Sequence, residues 1–152
     1  MGGPTADERP SPPSAARIAV TSDVHSNLEA LQEVFARVEG MEVYCLGDVV
    51  GYGASPNEVV ETLRERGALT VIGNHDHAAV TGETGMFNAR AAMAAKWTAK
   101  ILKGPNLAYL KSLPRRRRLR LGDAEGYLMY GSPYDTLWEY IDPSTHRQLF
   151  GH

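Results

Sequence analysis

The amino-acid sequence predicts an α/β fold with a parallel sheet at its centre. Short apolar runs alternate with helical patterns, the links between them are short, and each of the first three apolar runs ends in a polar cluster. A strand–helix–strand order with short links is typical of parallel strands joined by right-handed crossovers. The chain has 152 residues and 43% hydrophobic composition, which suits one domain with a core and is too little for two.

Three strands and two helices form the predicted parallel unit. The strands are expected at residues 17–20, 41–47 and 68–73, and the helices at 27–40 and 56–67. Both helical segments place apolar residues on one face at the spacing of an α-helix. Each segment therefore has a face that can cover the sheet.

Capping boxes are expected to start these two helices. Ser26 and Glu29 form the S-x-x-E pattern before the first helix. Ser55 and Glu58 form it before the second helix, with Pro56 in the first turn.

The second half of the chain predicts further helices and two extended segments. Asn88 is expected to cap a helix at residues 88–102. Met93, Trp97 and Ile101 recur every four residues in it, and we expect this stripe to pack in the core. The remaining predicted elements are a helix at 107–113, extended segments at 115–121 and 126–133, and a helix that begins at Pro143.

Composition limits the location and the partners of the protein. Residues 1–16 are rich in Pro, Gly, Ser and Ala and predict a flexible tail, which leaves 17–152 as the domain. No apolar run approaches the length of a membrane span, and the N-terminus lacks a secretory signal. Cys45 is the only cysteine, so no internal disulfide or thiolate zinc site can form. A cytoplasmic location is the resulting prediction.

Net charge argues against a nucleic-acid partner. The formal charge is −2, although residues 115–118 are four consecutive arginines. The preferred interpretation of this run is an edge strand whose charges discourage pairing with another strand. Nucleic acid is therefore expected only as a substrate.

Polar clusters follow the three predicted strands. Asp23 and His25 follow the first, Asp48 follows the second, and "NHDH", residues 74–77, follows the third. The carboxyl ends of parallel strands share one edge of a sheet, so these residues should meet in space. Helix capping is the alternative, but the capping boxes assign that role to residues downstream of the first two clusters.

A set of aspartate, histidine and asparagine without thiolate suits Mn, Fe, Zn, Ni or Co better than calcium. A shared aspartate can bridge two such ions about 3.5–4 Å apart, which activates a water for displacement at phosphorus. A remaining histidine can protonate the leaving oxygen. Asp76 could orient that histidine, or it could cap a following turn. His77 is given no role.

The segments "DVHSN", "GDVVGYG" and "GNHD", in this order, resemble the calcineurin-like metallophosphoesterases. "VVGYGASPNEVVE", "FNARAAMAAKWT" and "GSPYDTLWEYI" resemble one bacterial and archaeal branch of small phosphodiesterase-like proteins. The resemblance covers residues 18–141. It implies a metallophosphoesterase-type β-sandwich flanked by helices, which hydrolyses phosphate esters with two divalent ions, Mn first among them.

The resemblance also implies a role for each matching residue. Asp23 and His25 would hold the first ion, Asp48 would bridge both ions, and Asn74 would hold the second ion. His75 would act as the acid above the phosphate, with Asp76 beside it.

Two departures from the family pattern bear on activity. Tyr130 stands where the family has a histidine that binds the second ion, and a neutral phenol is a poor ligand for such an ion. The Gly-His-x-His segment of the family is also missing, since the chain ends at Gly151–His152. We expect a C-terminally truncated member with an incomplete second sheet. An uncovered sheet favours association, so a homo-oligomer is also expected.

Three interpretations stay open from the sequence. They are a shortened product, a fold with weak or no catalysis that only binds metal, and a subunit whose partner completes the site. The leading hypothesis is a phosphoesterase, and the alternative is a binding protein on the same scaffold. The natural substrate is not fixed by the residues.

Overall fold

The computed structural model describes residues 17–142. The predicted tail at 1–16, the helix expected from Pro143 and the terminal pair Gly151–His152 lie outside the described residues. The domain boundaries stay a prediction for the same reason.

Five strands and five helices make up the described part of the chain. In chain order they are β1 (Ile18–Thr21), α1 (Leu28–Arg37), β2 (Glu42–Cys45), α2 (Pro56–Glu65), β3 (Leu69–Thr70), α3 (Asn74–Thr81), α4 (Ala89–Ile101), α5 (Gly104–Ser112), β4 (Arg116–Leu121) and β5 (Ala124–Met129).

The first three strands form the predicted parallel sheet, in the order β1-β2-β3. Thr21 pairs with Cys45 and Cys45 pairs with Thr70, so the three strands end at the same level. This register brings the loops that follow β1, β2 and β3 to one edge. The alternation of short strands and helices read from the sequence is confirmed.

The second sheet has two strands in the described residues. β4 and β5 are antiparallel, with Arg116 opposite Met129 and Leu121 opposite Ala124. The chain reverses through Gly122, whose φ of 60° lies in the left-handed region that glycine adopts freely. The prediction of an α/β fold with an incomplete second sheet is confirmed.

The main core lies between the parallel sheet and its helices. Its buried side chains come from β2, the loop after it, α2 and α5, and they include Cys45, Val49, Val59, Leu63 and Leu110. Cys45 has no exposed surface, and burial raises the pKa of its thiol to about 12. It behaves as the small buried hydrophobe that its place in a strand predicts.

The predicted capping boxes of α1 and α2 are wrong in detail. Asn27, not Ser26, caps α1, because its Oδ1 accepts a hydrogen bond from the Ala30 N–H at 3.1 Å. Ser26 is drawn into the preceding loop, where its own N–H donates to the Val49 carbonyl. Ser55 occupies the N-cap of α2 without a side-chain capping bond.

The apolar stripe predicted on α4 is also wrong. Met93 is 69% exposed and Trp97 is 42% exposed, whereas Ala91, Ala95 and Thr98 are buried. Small side chains allow α4 to lie close to α3, so the small face is the one that packs. The predicted cap is confirmed, since Asn88 Oδ1 accepts from the Ala91 N–H at 3.0 Å.

Two helices differ from the sequence prediction. α3 was not expected as a helix, and α5 begins at Gly104, three residues before the predicted start at 107. Within residues 17–142, no helix is both long and apolar enough to cross a membrane.

Candidate metal centre

The loops that follow β1 and β2 and the first turn of α3 meet at the carboxyl edge of the parallel sheet. They carry the six predicted site residues, which are Asp23, His25, Asp48, Asn74, His75 and Asp76. Backbone bonds join the first two loops: the Asp23 N–H donates to the Gly47 carbonyl at 3.1 Å and the His25 N–H to the Asp48 carbonyl at 2.9 Å.

Backbone strain is concentrated in these loops. Among residues 17–142, five residues other than glycine have a positive φ, and all five lie in the loops after β1 and β2: Asp23 (55°), His25 (48°), Ser26 (57°), Asp48 (52°) and Tyr52 (48°). Such conformations cost about 1–3 kcal/mol each and persist where the surrounding structure enforces them. Strain gathered in this way is a common property of functional sites.

His25 faces two carboxylates with one ring nitrogen. Its Nδ1 lies 3.2 Å from the Val50 carbonyl oxygen, so Nδ1 carries the proton and donates. The other ring nitrogen, Nε2, faces Asp23 Oδ1 at 3.6 Å and Asp48 Oδ2 at 3.7 Å. A histidine that donates through one nitrogen and presents the other is set up as a metal ligand.

Asp48 is the central carboxylate. It is 1% exposed. Burial raises the pKa of Asp48 to about 8, the nearby Asp76 charge adds to this shift, and hydrogen bonds from His75 and Tyr130 oppose it. A carboxylate so placed is poorly stabilised as an anion by the protein alone.

The second group of donors lies at the start of α3. Asn74 Nδ2 lies 3.5 Å from Tyr140 Oη, while its Oδ1 is buried without a hydrogen-bond partner among the described residues. His25, Asp48 and His75 each offer a ligand atom within 4.8 Å of the others. Asn74 directly precedes His75 in the chain, and its acceptor oxygen is not engaged by a hydrogen bond within the described part of the chain.

His75 is enclosed by aromatic rings. Its ring centroid lies 4.6 Å from that of Tyr52, 4.8 Å from that of His25 and 4.5 Å from that of Phe87. Burial lowers the pKa of His75 to about 4, and the neighbouring His25 contributes to the shift. Its Nδ1 is buried and has no hydrogen-bond partner within residues 17–142.

Tyr52 and Phe87 were not predicted as site residues. Neither carries a ligand atom or a motif that would distinguish it in the sequence from an ordinary aromatic residue. Their role in the site depends on where the loop after β2 and the segment before α4 fold.

Of the two roles that the sequence left open for Asp76, the described residues show the cap of a turn and no hydrogen bond to the ring of His75. Its Oδ1 accepts from the Val50 N–H at 2.9 Å, and its Oδ2 accepts from the Gly73 N–H at 3.0 Å. The carboxylate caps the first turn of α3 and joins it to the loop after β2. Two backbone amides thus engage the group that could have oriented His75.

Tyr130 reaches the carboxylates of Asp23 and Asp48. Its hydroxyl lies 2.8 Å from Asp48 Oδ2 and 3.1 Å from Asp23 Oδ1, both within donating distance. Burial, followed by the charge of Asp48, holds the pKa of the Tyr130 phenol well above its usual range.

Glycines let the loops approach one another closely. A Cβ at Gly73 would overlap Asp48 Oδ1 and the Asp48 backbone nitrogen. A Cβ at Gly51, where φ is 107°, would lie 2.6 Å from His75 Nδ1. Larger residues at these two positions would push the site apart.

An open cavity of about 280 Å³ adjoins the carboxylates. It is lined by Ser22, Asp23, Leu46, Tyr130, Gly131, Leu137, Glu139, Tyr140 and Ile141. Tyr140 is 71% exposed and lines this cavity, whereas Trp138 packs against Phe87 with ring centroids 5.1 Å apart. Tyr134 is 76% exposed and is not part of the cavity lining.

The donors present fit a divalent transition metal. Carboxylate oxygen, imidazole nitrogen and amide oxygen match the ligand preferences of Mn, Fe, Zn, Ni and Co. Three features of this chain support the fit: the orientation of His25 Nε2, the buried Asp48 and the unpartnered Asn74 Oδ1.

Comparison with known proteins identifies one family for this chain. The family model for calcineurin-like phosphoesterases matches residues 16–151. An uncharacterized protein of Methanocaldococcus jannaschii is 39% identical over 140 residues, which are 89% of this chain and 58% of the relative.

Solved structures agree with this match. A metallophosphoesterase from Sphaerobacter thermophilus is 42% identical with a TM-score of 0.67, over 84% of this chain and 51% of that one. A hypothetical protein from Pyrococcus horikoshii OT3 has a TM-score of 0.75 at 23% identity, over 84% of this chain and 60% of that one, and supports the fold alone. The chain thus spans between about half and three fifths of the length of these relatives.

Proposed function

The chain belongs to the calcineurin-like phosphoesterase family, and from this premise we propose that it is a divalent-metal-dependent hydrolase of phosphodiesters or phosphomonoesters. The observation that carries the proposal is the convergence of Asp23, His25 and Asp48, with His25 Nε2 facing both carboxylates at 3.6 and 3.7 Å. Mn²⁺ is the first choice of ion, with Fe, Ni, Zn or Co as alternatives.

Four residues would hold two ions in this proposal. Asp23 and His25 would bind one, Asn74 would bind the other through its unpartnered Oδ1, and Asp48 would bridge them. When bound, the ions would lower the pKa of a water and offset negative charge at phosphorus. The cost of burying Asp48 as an anion would be relieved by the cations.

His75 is proposed to give a proton to the leaving oxygen. The ring is held between Tyr52 and Phe87, so its position is fixed before a substrate arrives. Burial favours the neutral ring, and a phosphate anion beside it would favour the protonated form.

Asp76 is proposed as a positioning residue. Its two oxygens connect the Val50 and Gly73 amides, which flank Asp48 and Asn74 in the chain. Loss of these bonds would loosen both ligand loops at once.

Hydrolysis of bis-p-nitrophenyl phosphate with added Mn²⁺ tests the proposal. We expect His75→Ala to lower kcat by about 10²–10⁴-fold, as loss of a general acid does. His77→Ala is the matched control, because His77 is two positions away on α3 and pairs with Glu83 at 3.3 Å. Asp48→Asn should lose most activity, because both ions would lose a ligand. Equal rates in all four proteins would exclude the assigned mechanism.

A metal-binding protein without catalysis is the second candidate. The phenol of Tyr130 lies among the carboxylates where the family resemblance implies a histidine, and this observation favours it. Calorimetric titration with Mn²⁺ separates the two functions. Micromolar binding without turnover of the ester would support the binding protein.

The cytoplasmic location, and the expectation that nucleic acid is not a partner except as a substrate, remain predictions from the sequence.

A further inference from the structure

Tyr130 places a fourth donor atom beside Asp23, His25 and Asp48. Its Oη lies 3.1 Å from Asp23 Oδ1 and 2.8 Å from Asp48 Oδ2. His25 Nε2 lies 3.6 Å and 3.7 Å from the same two oxygens. A phenol and an imidazole therefore face the same pair of carboxylate oxygens.

These separations match the spacing of ligands around one ion. Ligand atoms about 2.0–2.2 Å from a first-row ion lie about 2.8–3.6 Å from their neighbours in tetrahedral or octahedral geometry. The four separations between these donor atoms run from 2.8 to 3.7 Å, which is close to this range. The donor atoms are thus arranged nearly as they would be around a single ion.

The position of Tyr130 is fixed by its own turn. The next two residues make backbone bonds across this turn, from the Gly131 N–H to the Thr136 carbonyl at 2.8 Å and from the Ser132 N–H to the Asp135 carbonyl at 2.9 Å. A Cβ at Gly131 would overlap the Asp135 carbonyl, so the turn is tight. The phenol is therefore presented from a defined backbone and does not depend on a flexible loop.

The contact between Tyr130 and Asp23 indicates which of the two ions Tyr130 would bind. The family resemblance assigns the residue at this position to the second ion, whereas Asp23 is a predicted ligand of the first ion only. The Tyr130 hydroxyl contacts Asp23 directly at 3.1 Å. The substitution of tyrosine for histidine thus moves the donor atom toward the first ion.

We propose that Tyr130 is a ligand of the first ion, its oxygen completing a four-donor set with Asp23, His25 and Asp48. The inference rests on the proposed function to the extent that an ion binds at this site. As the oxygen coordinates the ion, the phenolic proton passes to solvent, and the cation favours this loss as it does for a coordinated thiol. A set of two carboxylates, a phenolate and an imidazole is rich in anionic oxygen, so it suits Mn²⁺ and also accepts a harder ion such as ferric iron, which serves as a spectroscopic probe of the site.

The competing role for Tyr130 is that of a hydrogen-bond donor which only holds the two carboxylates. Metal affinity alone does not separate the two roles, because loss of a hydrogen bond to a ligand also weakens binding about 10–100-fold. A signal from the bond between oxygen and metal is needed. Phenolate bound to ferric iron gives a charge-transfer band in the visible range, and a phenol that only donates a hydrogen bond does not.

Ferric citrate is the probe, added to the full chain and followed by gel filtration, metal analysis of the protein fraction and visible absorption. We expect about one ferric ion per chain and a visible band in the wild type. Tyr130→Phe should retain iron but lose the band. Tyr52→Phe is the matched control and should keep the band, since the Tyr52 ring packs on His25 and His75 nearby.

Each outcome decides between the proposals. Iron bound without a visible band, or a band that persists in Tyr130→Phe, would overturn the role of Tyr130 and leave the proposed function standing. Absence of bound ferric iron together with absence of Mn²⁺ binding in calorimetry would overturn both. Absence of ferric binding with Mn²⁺ bound would overturn the inference alone.

Discussion

The Asp48 carboxylate accepts a hydrogen bond from the His75 backbone N–H at 2.9 Å. This bond joins the loop after β2 to the first turn of α3, and it uses Oδ1, which leaves Oδ2 to face His25 and Tyr130. Asp48 therefore links the fold of the site to its chemistry.

Asp48→Asn should stabilise the metal-free protein at pH 8. The pKa of Asp48 is raised to about 8 in the folded chain, above the ordinary carboxyl value of about 3.9, so its contribution to stability is complete below that value and is lost as pH rises toward 8. Asparagine keeps an acceptor for the His75 N–H and removes the charge. Calorimetry should show a higher Tm for the variant at pH 8 and similar values at pH 4, with about 2–4 °C for each kcal/mol.

The effect of Mn²⁺ on the Tm tests the same carboxylate in its charged form. Mn²⁺ should raise the Tm of the wild type at pH 8 and leave that of Asp48→Asn nearly unchanged. Asp23→Asn is the comparison variant for the metal-free Tm at pH 8. The Asp23 side chain is 52% exposed, so removal of its charge should change this Tm less than Asp48→Asn does. A lower metal-free Tm for Asp48→Asn than for the wild type at pH 8 would contradict the account of this carboxylate.

Gly73→Ala should damage both the stability of the protein and the site. The new Cβ would overlap Asp48 Oδ1 and the Asp48 backbone, so either Asp48 or α3 must move. We expect a loss of about 1–3 kcal/mol in the free energy of unfolding, together with weaker Mn²⁺ binding. Gly85→Ala is the matched control, since nothing lies within 4 Å of its Cβ. Urea unfolding and calorimetric titration measure the two effects, and equal stability of the two variants would show that the loops have room to separate.

Much of the fold could be predicted from the sequence because apolar residues recur at regular spacing in its strands and helices. The strands β1 and β2 are short apolar runs, and α1 and α2 carry apolar residues at helical spacing. Their order specifies which loops share an edge, so the meeting of Asp23, His25 and Asp48 followed from topology. The positions of the ligand loops are therefore a consequence of patterns that a single sequence contains.

The sequence predictions that were wrong share a physical cause: tertiary contacts override the local preference of the chain. α3 has no apolar stripe to reveal it and is held by Asp76 and by the Asp48 bond to His75. Ser26 fits the local capping pattern, but its φ of 57° and its bond to Val49 commit it to the loop. Tyr130 was recognised as a departure from the family, yet its contact with Asp23 depends on side-chain reach and on the turn after β5.

Asn57 should contribute to stability without affecting the site. This buried side chain donates to the Ile101 carbonyl at 2.9 Å and accepts from the Lys103 N–H at 2.8 Å and from Asn106 at 3.0 Å. Asn57→Ala removes the partner of the Ile101 carbonyl and of the Lys103 N–H, whereas Asn106 Nδ2 keeps its bond to Glu61 Oε1 at 3.0 Å. A buried group left without a partner costs about 1–3 kcal/mol. Urea unfolding should show this loss, while Mn²⁺ affinity of the folded variant stays at the wild-type value. A change in affinity would mean that α2 also positions the ligands.

Self-association should involve the outer strand β1. In the sheet formed by the described residues β1 and β3 are the two edges, and Val20 on β1 is 54% exposed whereas Thr70 on β3 is buried. β4 is rich in arginine, which discourages pairing, whereas β1 presents an uncharged edge. We therefore expect light scattering to give a mass above the 16.6 kDa of one chain, rising with concentration.

Val20→Lys should shift the protein toward the monomer, because a charged side chain on an edge strand opposes pairing. Val34→Lys is the matched control, since Val34 is 40% exposed but lies on α1. If β1 is the contact, only the first variant lowers the mass at high concentration. A wild type that stays monomeric over the whole concentration range, or an equal effect of both variants, would show that the exposed edge of β1 does not drive association.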